Sequence, residues 1–559
     1  MKKLIKVLVL LSAPLLAFGG SKVAPDLPQS DPNATVDVIV QYKTPPSKDE
    51  LKQLGPYGQI KKIYSVINGV HIALTVKTIQ QISTDPNVAY ITPNRKSNGS
   101  VDISTATVNA NLVWSYGYDG TGVGVAVIDS GITLKKDFIN AAGVSRLVYN
   151  ESFVPGDSTT SDAFGHGTHV AGIVAGDGGA STGLGFTHTY KGVAPNANLI
   201  NLRVLDQNGG ANESDVIAAI QRAIQLKSTY NIRVINLSLG HRIYESYTLD
   251  PLCQAVESAW KAGIVVVVAA GNYGRDNSGG TKGYGTIASP GNDPYVITVG
   301  ATNAKGTVTL ADDAIASYSS KGPTLVDHIA KPDLVAPGNQ VTSVLASPNC
   351  TLAANYPSTL LSNNAFETLG YVSGKSADYF RLSGTSMSTP VASGAAALLL
   401  QKNPALTPDQ IKARLMKTAR KILPSYMSGT DLISNATYMN QADVFTVGAG
   451  YLDIFAALQN NDLVTLPALS PTVIFDTTGK HVTFFRNMNI IWGDNIVWGD
   501  NIVWGDMVFN GKLNGLNIVW GDNIVWGDGT SGGFAIIWGS TVSSTTALQA
   551  LSADDGDQD

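Results

Sequence analysis

Between residues 105 and 459, short, mainly apolar runs alternate with helix-like stretches, and few folds accept such a pattern. The runs are Val123–Ile128, Asn198–Val204, Val234–Leu239 and Ile264–Ala270; helix-like segments such as Ser214–Lys227 and Leu252–Ala262 separate them. A strand apolar on both faces cannot leave one face in water. The pattern therefore predicts an α/β unit, a mostly parallel sheet with helices on both faces. Such sheets bind ligands beyond the carboxyl ends of their strands. A chain of 559 residues is too long for one core, so further units are expected, and 57 glycines point to many tight turns.

The flanks read differently. Residues 1–20 have the pattern of an export signal: Lys2, Lys3 and Lys6, an apolar run over Val7–Phe18, then the small residues Gly19 and Gly20. That run is shorter than the roughly 20 apolar residues a membrane anchor needs. Residues 36–96 predict a small α+β, ferredoxin-like unit, with strands over Val36–Tyr42, Gly69–Thr75 and Val88–Thr92 and helices over Asp49–Leu54 and Thr78–Ser83. A polar, turn-rich linker, Asn94–Ser100, follows. Residues 460–559 form a β-rich extension. It repeats Asn-Ile-Val-Trp-Gly-Asp, or a close variant, from Asn489, Asn495, Asn501, Asn517 and Asn523, and ends in the acidic run Asp554–Asp559.

Three segments carry chemistry. Val125–Ile132 puts a carboxylate, Asp129, at the end of a buried strand, with Gly131 turning the chain away. Phe164-Gly-His-Gly-Thr-His places His166 between two glycines ahead of an apolar helix-like run. The HGTH segment lacks the i, i+4 histidine pair and intervening Glu of a zinc-protease helix, so His169 reads as a supporting or core residue. Leu382-Ser-Gly-Thr-Ser-Met-Ser-Thr-Pro puts Ser386 just after a glycine turn, where the N–H groups and dipole of the following helix favour negative charge.

Together these motifs, in the order Asp, His, Ser, resemble the subtilisin family of serine peptidases. Val268-Ala-Ala-Gly-Asn-Tyr-Gly274 resembles the family's oxyanion segment. The resemblance implies a serine endopeptidase with Asp129, His166 and Ser386 as triad and Asn272 as oxyanion donor. Substrate would lie between Gly209-Gly210-Ala211 and Ser238-Leu239-Gly240, and the S1 wall would add Ala269-Ala270-Gly271 and the Ala288–Gly291 turn. These small, uncharged walls imply broad specificity with an apolar or aromatic P1. Residues 36–96 resemble the family's propeptide, an intramolecular inhibitor cut off between Arg95 and Ser104.

The implied partners are protein or peptide substrates and the chain's own propeptide. A soluble, exported monomer is expected, with no membrane span in the mature form. The net charge of −5 gives no electrostatic case for nucleic acid. The chemistry needs no cofactor. A structural calcium is compatible with the family, but the loop Asp177–Tyr190 offers only Asp177 as an acid and no ligand set is assignable. Cys253 and Cys350 leave two options open, a disulfide or two buried thiols. The Trp repeat suggests packing, attachment or a binding surface, so an inactive adhesive protein and a dedicated processing enzyme are the two rival readings.

Overall fold

The computed structural model describes residues 22–24, 27, 31–64, 68–93, 101–183, 185–367, 374–476, 481–485, 513–514, 548–550 and 556–559. The expected leader, the linker 94–100 and the Trp-containing repeats lie outside the described residues. The chain divides into two compact units, residues 1–97 and 98–559.

In the first unit, β1 (Thr35–Tyr42), α1 (Lys48–Leu54), β2 (Ile60–Tyr64), β3 (Gly69–Thr75), α2 (Val76–Ser83) and β4 (Val88–Pro93) make an antiparallel sheet of order β2-β3-β1-β4. This βαββαβ order is the ferredoxin-like arrangement. Alternate residues Val38, Val40, Val70, Ile72 and Leu74 fill its core. Ser47 and Glu50 cap α1 reciprocally. Strand β2 has no counterpart among the expected strands. It lies at the sheet edge, and its central Lys61 and Lys62 are exposed, so no apolar alternation marks it.

The second unit opens with α3 (Val101–Thr107) and α4 (Ala110–Ser115). Then come β5 (Gly124–Asp129), β6 (Leu147–Ser152), α5 (His166–Ala175), β7 (Asn198–Arg203), β8 (Gly210–Ala211) and α6 (Glu213–Tyr230). Next are β9 (Ile232–Leu237), β10 (Leu239–Arg242), α7 (Pro251–Lys261), β11 (Val265–Ala269), β12 (Ala288–Ser289), β13 (Ile297–Asn303), β14 (Ala314–Ile315) and β15 (Leu334–Pro337). A central sheet of order β14-β13-β11-β9-β5-β7-β6, with β15 also on β13, is parallel except at β14. Every residue of β5, β11 and β13 is buried, as strands covered on both faces require.

Further on come β16 (Val341–Val344), α8 (Thr351–Asn355), β17 (Leu360–Ser362), β18 (Lys375–Leu382) and α9 (Thr385–Lys402). Helices α5 and α9 pack together and against the sheet, and α6 and α7 form a second packed pair against it. A hairpin, β19 (Tyr426–Thr430) with β20 (Thr437–Gln441), follows. In the described part of the extension, β21 (Thr472–Asp476), β22 (His481–Phe485) and β23 (Leu513–Asn514) form a small sheet. The last strand, β24 (Leu548–Ala550), leaves the extension and joins β8 and β10.

One expected strand needs correcting. The apolar run Val234–Leu239 is two strands, because the chain breaks at Ser238, between β9 and β10. The two cysteines are separate buried thiols. Among the described residues no helix is long and apolar enough to cross a membrane.

Beneath the sheet, a carboxylate is held between two amines with almost no solvent contact. Asp333 takes Lys331 Nζ at 2.7 Å and Lys412 Nζ at 3.2 Å, and all three side chains are at most 1% exposed. Thr298 N–H and Ser470 Oγ also donate to the carboxylate, at 2.8 and 2.6 Å. Lys412 Nζ also lies within hydrogen-bond distance of the Pro294 and Val296 carbonyls and Ser470 Oγ. Burial nevertheless pushes its amine down to about 7. Removing the acid would strand two buried amines, which costs about 3–5 kcal/mol for a broken buried pair. Asp333→Asn, measured by urea unfolding in a Ser386→Ala background, is expected to lose stability on that scale.

Candidate active site

Two chain crossings bring the acid and the imidazole together. Asp129 is the last residue of β5 and His166 the first of α5. Gly131 turns the chain with φ near +110°, and a Cβ there would stand 2.7 Å from the Thr160 carbonyl oxygen. A Cβ at Gly167 would stand 2.3 Å from the Gly131 oxygen, so the start of α5 can approach the end of β5 only with glycine there. Gly165, at φ +104°, faces Cys350 Sγ, which a Cβ would meet at 2.5 Å.

The result is a 2.7 Å hydrogen bond between His166 Nδ1 and Asp129 Oδ1, with His166 fully buried and Asp129 1% exposed. Ser130 N–H also donates to Oδ1, at 2.7 Å. A carboxylate against Nδ1 makes that nitrogen the donor, which leaves Nε2 with a lone pair. Nε2 is buried and has no partner among the described residues.

Asp162, which no sequence motif marks, holds this junction. It accepts from Ser130 Oγ at 2.8 Å, Gly165 N–H at 2.6 Å and Thr168 N–H at 2.8 Å. Ser130 Oγ in turn accepts from Gly167 N–H at 2.8 Å. Burial raises the Asp162 carboxyl above its usual range, with the donated hydrogen bonds opposing that rise. An acid three residues before a Gly-His-Gly motif has no pattern of its own in one sequence. His169 is a core residue: Nε2 bonds the Val341 carbonyl at 3.0 Å, and burial, then the neighbouring His166, pushes its ring down to about 3. It stays neutral.

Ser386 is the second residue of α9 and fully buried. Its Oγ donates to the Ser238 carbonyl at 2.9 Å rather than to His166. Pro390, inside α9, has no N–H for the carbonyl four residues back, so Ser386 O is released from the helix ladder. Ser238 Oγ takes it at 2.9 Å. Asn236 Nδ2 then donates to Ser238 Oγ at 3.0 Å, and Ser393 Oγ to Asn236 Oδ1 at 2.8 Å. This network fixes the start of α9 against the end of β9.

Asn272 follows β11. Its Oδ1 accepts from Thr385 N–H at 2.9 Å and Thr385 Oγ1 at 3.0 Å, which orients the amide and leaves Nδ2 buried without a partner among the described residues. Thr385 also accepts from Gly271 N–H at 3.1 Å, so one threonine sets the side chain of Asn272 and the turn before it. The oxyanion motif marks Asn272 but says nothing of Thr385.

The expected binding residues line two strands and a floor. Gly209 turns the chain at φ +80° against the Phe164 ring, ahead of β8 with Gly210 and Ala211. Ser238 precedes β10, which begins with Leu239 and Gly240. Ala269 ends β11, Ala270 and Gly271 follow, and Ala288 N–H donates to the Ala270 carbonyl at 2.9 Å. Strand β12 pairs with the far end of β10, so the Ala288–Gly291 turn joins the same wall.

The loop after α5 has a cation beside its one acid. Asp177 accepts from Gly179 N–H at 2.8 Å and faces the Arg146 guanidinium at 4.0 Å, a cation where a second oxygen ligand would be needed. Among the described residues no three His, Cys, Asp or Glu side chains form a metal-binding group.

Comparison with known proteins agrees with this architecture. The profile of the Subtilase family matches residues 120–450. Serine protease AprX of Bacillus subtilis is 37% identical over 374 residues, 66% of this chain and 77% of that protein. Subtilisin E of the same species is 33% identical over 391 residues, 69% of this chain and 84% of that one. An alkaline protease of Alkalihalobacillus alcalophilus is 32% identical over 374 residues, covering 66% and 79%. With its parallel sheet and the matched span, the chain belongs to the subtilase family and is a subtilisin-like serine endopeptidase.

Proposed function

We propose that the enzyme is exported, matures itself by cutting near residue 100, and hydrolyses extended polypeptides of broad sequence through Asp129, His166 and Ser386. The observation that carries this reading is the dry 2.7 Å Asp129–His166 bond, beside two buried polar atoms left open, His166 Nε2 and Asn272 Nδ2.

A serine hydroxyl is too weakly acidic to attack an amide unaided. Released from the Ser238 carbonyl, Ser386 Oγ gives its proton to His166 Nε2 as Oγ adds to the substrate carbonyl. Asp129 keeps the tautomer and stabilises the imidazolium that forms. Asn272 Nδ2–H and the Ser386 N–H, at the start of an eighteen-residue helix, receive the negative oxygen. His166 then gives the proton to the leaving amine. Water, deprotonated by the same nitrogen, adds to the acyl carbon, and Nε2 returns that proton to Ser386 Oγ as the acyl–oxygen bond breaks and the acid leaves. Nε2 thus takes and gives one proton in each half-reaction, and no metal is required.

Substrate pairs by its main chain with Gly209–Ala211 and Ser238–Gly240, which tolerates many sequences. Small side chains at Ala269, Ala270, Gly271 and Ala288 leave room for an apolar or aromatic P1. The first unit, residues 36–96, serves as a removable inhibitor and folding aid.

Casein digestion tests the proposal. The purified wild type is expected to digest casein, to be stopped by a serine-directed inhibitor and to start between Arg95 and Ser104, whereas Ser386→Ala stays unprocessed and inactive. A processed enzyme that ignores casein would point instead to narrow processing specificity. Asn272→Ala should lower kcat with little change in KM. The expected scale, about 2.7–4 kcal/mol of transition-state stabilisation, is the one known for the oxyanion-hole asparagine of subtilisin itself. Asp162→Ala should lower kcat by about 10²-fold through misplacement of His166, with KM nearly unchanged. An equal loss in KM, or none in kcat, would remove Asp162 from that role.

A further inference from the structure

The substrate groove is already paired. Strand β24, near the C-terminus, lies between the two strands assigned above to the substrate and is antiparallel to both. Ala550 stands opposite Leu239 and Gln549 opposite Gly240; on the other side, Leu548 stands opposite Ala211 and Gln549 opposite Gly210. The direction matters as much as the register. From Gln549 to Ala550 the chain advances toward Ser238, whose carbonyl receives Ser386 Oγ. It thus enters with the polarity of an acyl-side substrate segment. Ser386 and His166 have no exposed surface.

Six residues past β24, a second set of contacts secures the tail. Asp557 is fully buried, a rare place for a carboxylate in a chain terminus. Ser317 N–H and Ser317 Oγ both donate to it at 2.5 Å, and Arg275 pairs with it at 3.1 Å. Its main chain exchanges two hydrogen bonds with the Asn339 side chain, at 2.8 and 2.9 Å. Gln558 N–H donates to the Thr430 carbonyl at 2.7 Å, and Leu432 N–H donates to the Gly556 carbonyl at 2.9 Å. The pocket is shaped for this segment. A Cβ at Gly429 would stand 2.5 Å from an Asp557 oxygen, and one at Gly556 would stand 2.1 Å from Ser383 Oγ. Arg275 is itself sandwiched by the Tyr318 and Tyr438 rings and bonded to Ser317 Oγ at 2.7 Å.

We propose that Ser317, Arg275 and Asn339 form a carboxylate-binding site for the chain's own acidic C-terminus, and that this anchor holds β24 in the substrate groove as a tethered competitive inhibitor. Neither contact suffices alone. Three residues of main-chain pairing bind weakly as a free peptide, and a surface pocket for one carboxylate blocks nothing. Joined by five residues, 551–555, which can reach at most about 17–18 Å when extended, the anchor keeps the strand at an effective concentration in the millimolar range. Substrate must displace it. The site acts within one molecule and is separate from the inhibitor role proposed for residues 36–96.

The inference rests on the peptidase reading for what the groove binds, and two readouts keep them apart. The first needs no catalysis. In full-length Ser386→Ala, hydrogen exchange at residues 209–211 and 238–240 is compared with that of the same chain carrying Asp557→Ala or lacking residues 547–559. Both changes are expected to speed exchange there by about tenfold or more. Rates within twofold of the parent in both would overturn the proposal. The second uses mature wild-type enzyme, normalised by titration with a serine-directed reagent, on a short chromogenic peptide. Asp557→Ala and the deletion are each expected to lower KM about tenfold at unchanged kcat, independent of enzyme concentration. An unchanged KM, or inhibition that grows with enzyme concentration, would contradict a tether within one molecule. A protein that cannot be titrated at all would sink the peptidase reading, while exchange still decides the tail.

Discussion

The 2.7 Å bond between Asp129 and His166 is the contact around which the rest of the site is arranged. It needs a carboxylate at the end of a buried strand and an imidazole at the start of a helix from elsewhere in the chain. Glycine at 131 and 167 permits the approach, and Asp162 fixes its geometry by accepting three hydrogen bonds. Burial then does two things at once. It strengthens the pair by excluding water, and it leaves His166 Nε2 with no competing partner among the described residues.

A similar economy operates on the nucleophile side. Pro390 breaks the ladder of α9 at the carbonyl of Ser386, and Ser238 Oγ takes up that carbonyl. Ser238 thereby locks the helix start that carries Ser386. Thr385 does the equivalent for Asn272, holding its oxygen so that its N–H points elsewhere. Positioning is thus done by neighbouring residues: His166 Nε2 and Asn272 Nδ2 are left without a partner among the described residues, while Ser386 Oγ rests on the Ser238 carbonyl.

Much of this is legible in the residues. Continuous apolar runs mark β5 and β11, because strands covered on both faces carry no polar alternation. Gly-His-Gly and Gly-Thr-Ser mark turns into helices that present a side chain at a sheet edge. What escapes lacks a local signal. Strand β2 is an edge with two exposed lysines. The break at Ser238 sits inside a mainly apolar run, and the serine there bonds the start of α9. Asp162 and Thr385 are common residue types whose importance comes from neighbours remote in sequence. Least legible is β24: Leu548-Gln-Ala550 reads as an ordinary tail, and only the fold brings it between β8 and β10.

If the buried His166–Asp129 pair is what makes Ser386 nucleophilic, the reactivity of that one hydroxyl must depend on both partners. Mass spectrometry after brief exposure to a phosphonylating serine reagent reads this out in the wild type, His166→Ala and Asp129→Asn. One adduct is expected, on Ser386, formed rapidly in the wild type and slowed by several orders of magnitude in both variants. Equal labelling of Ser386 in all three proteins, or an adduct on a different serine, would contradict that dependence.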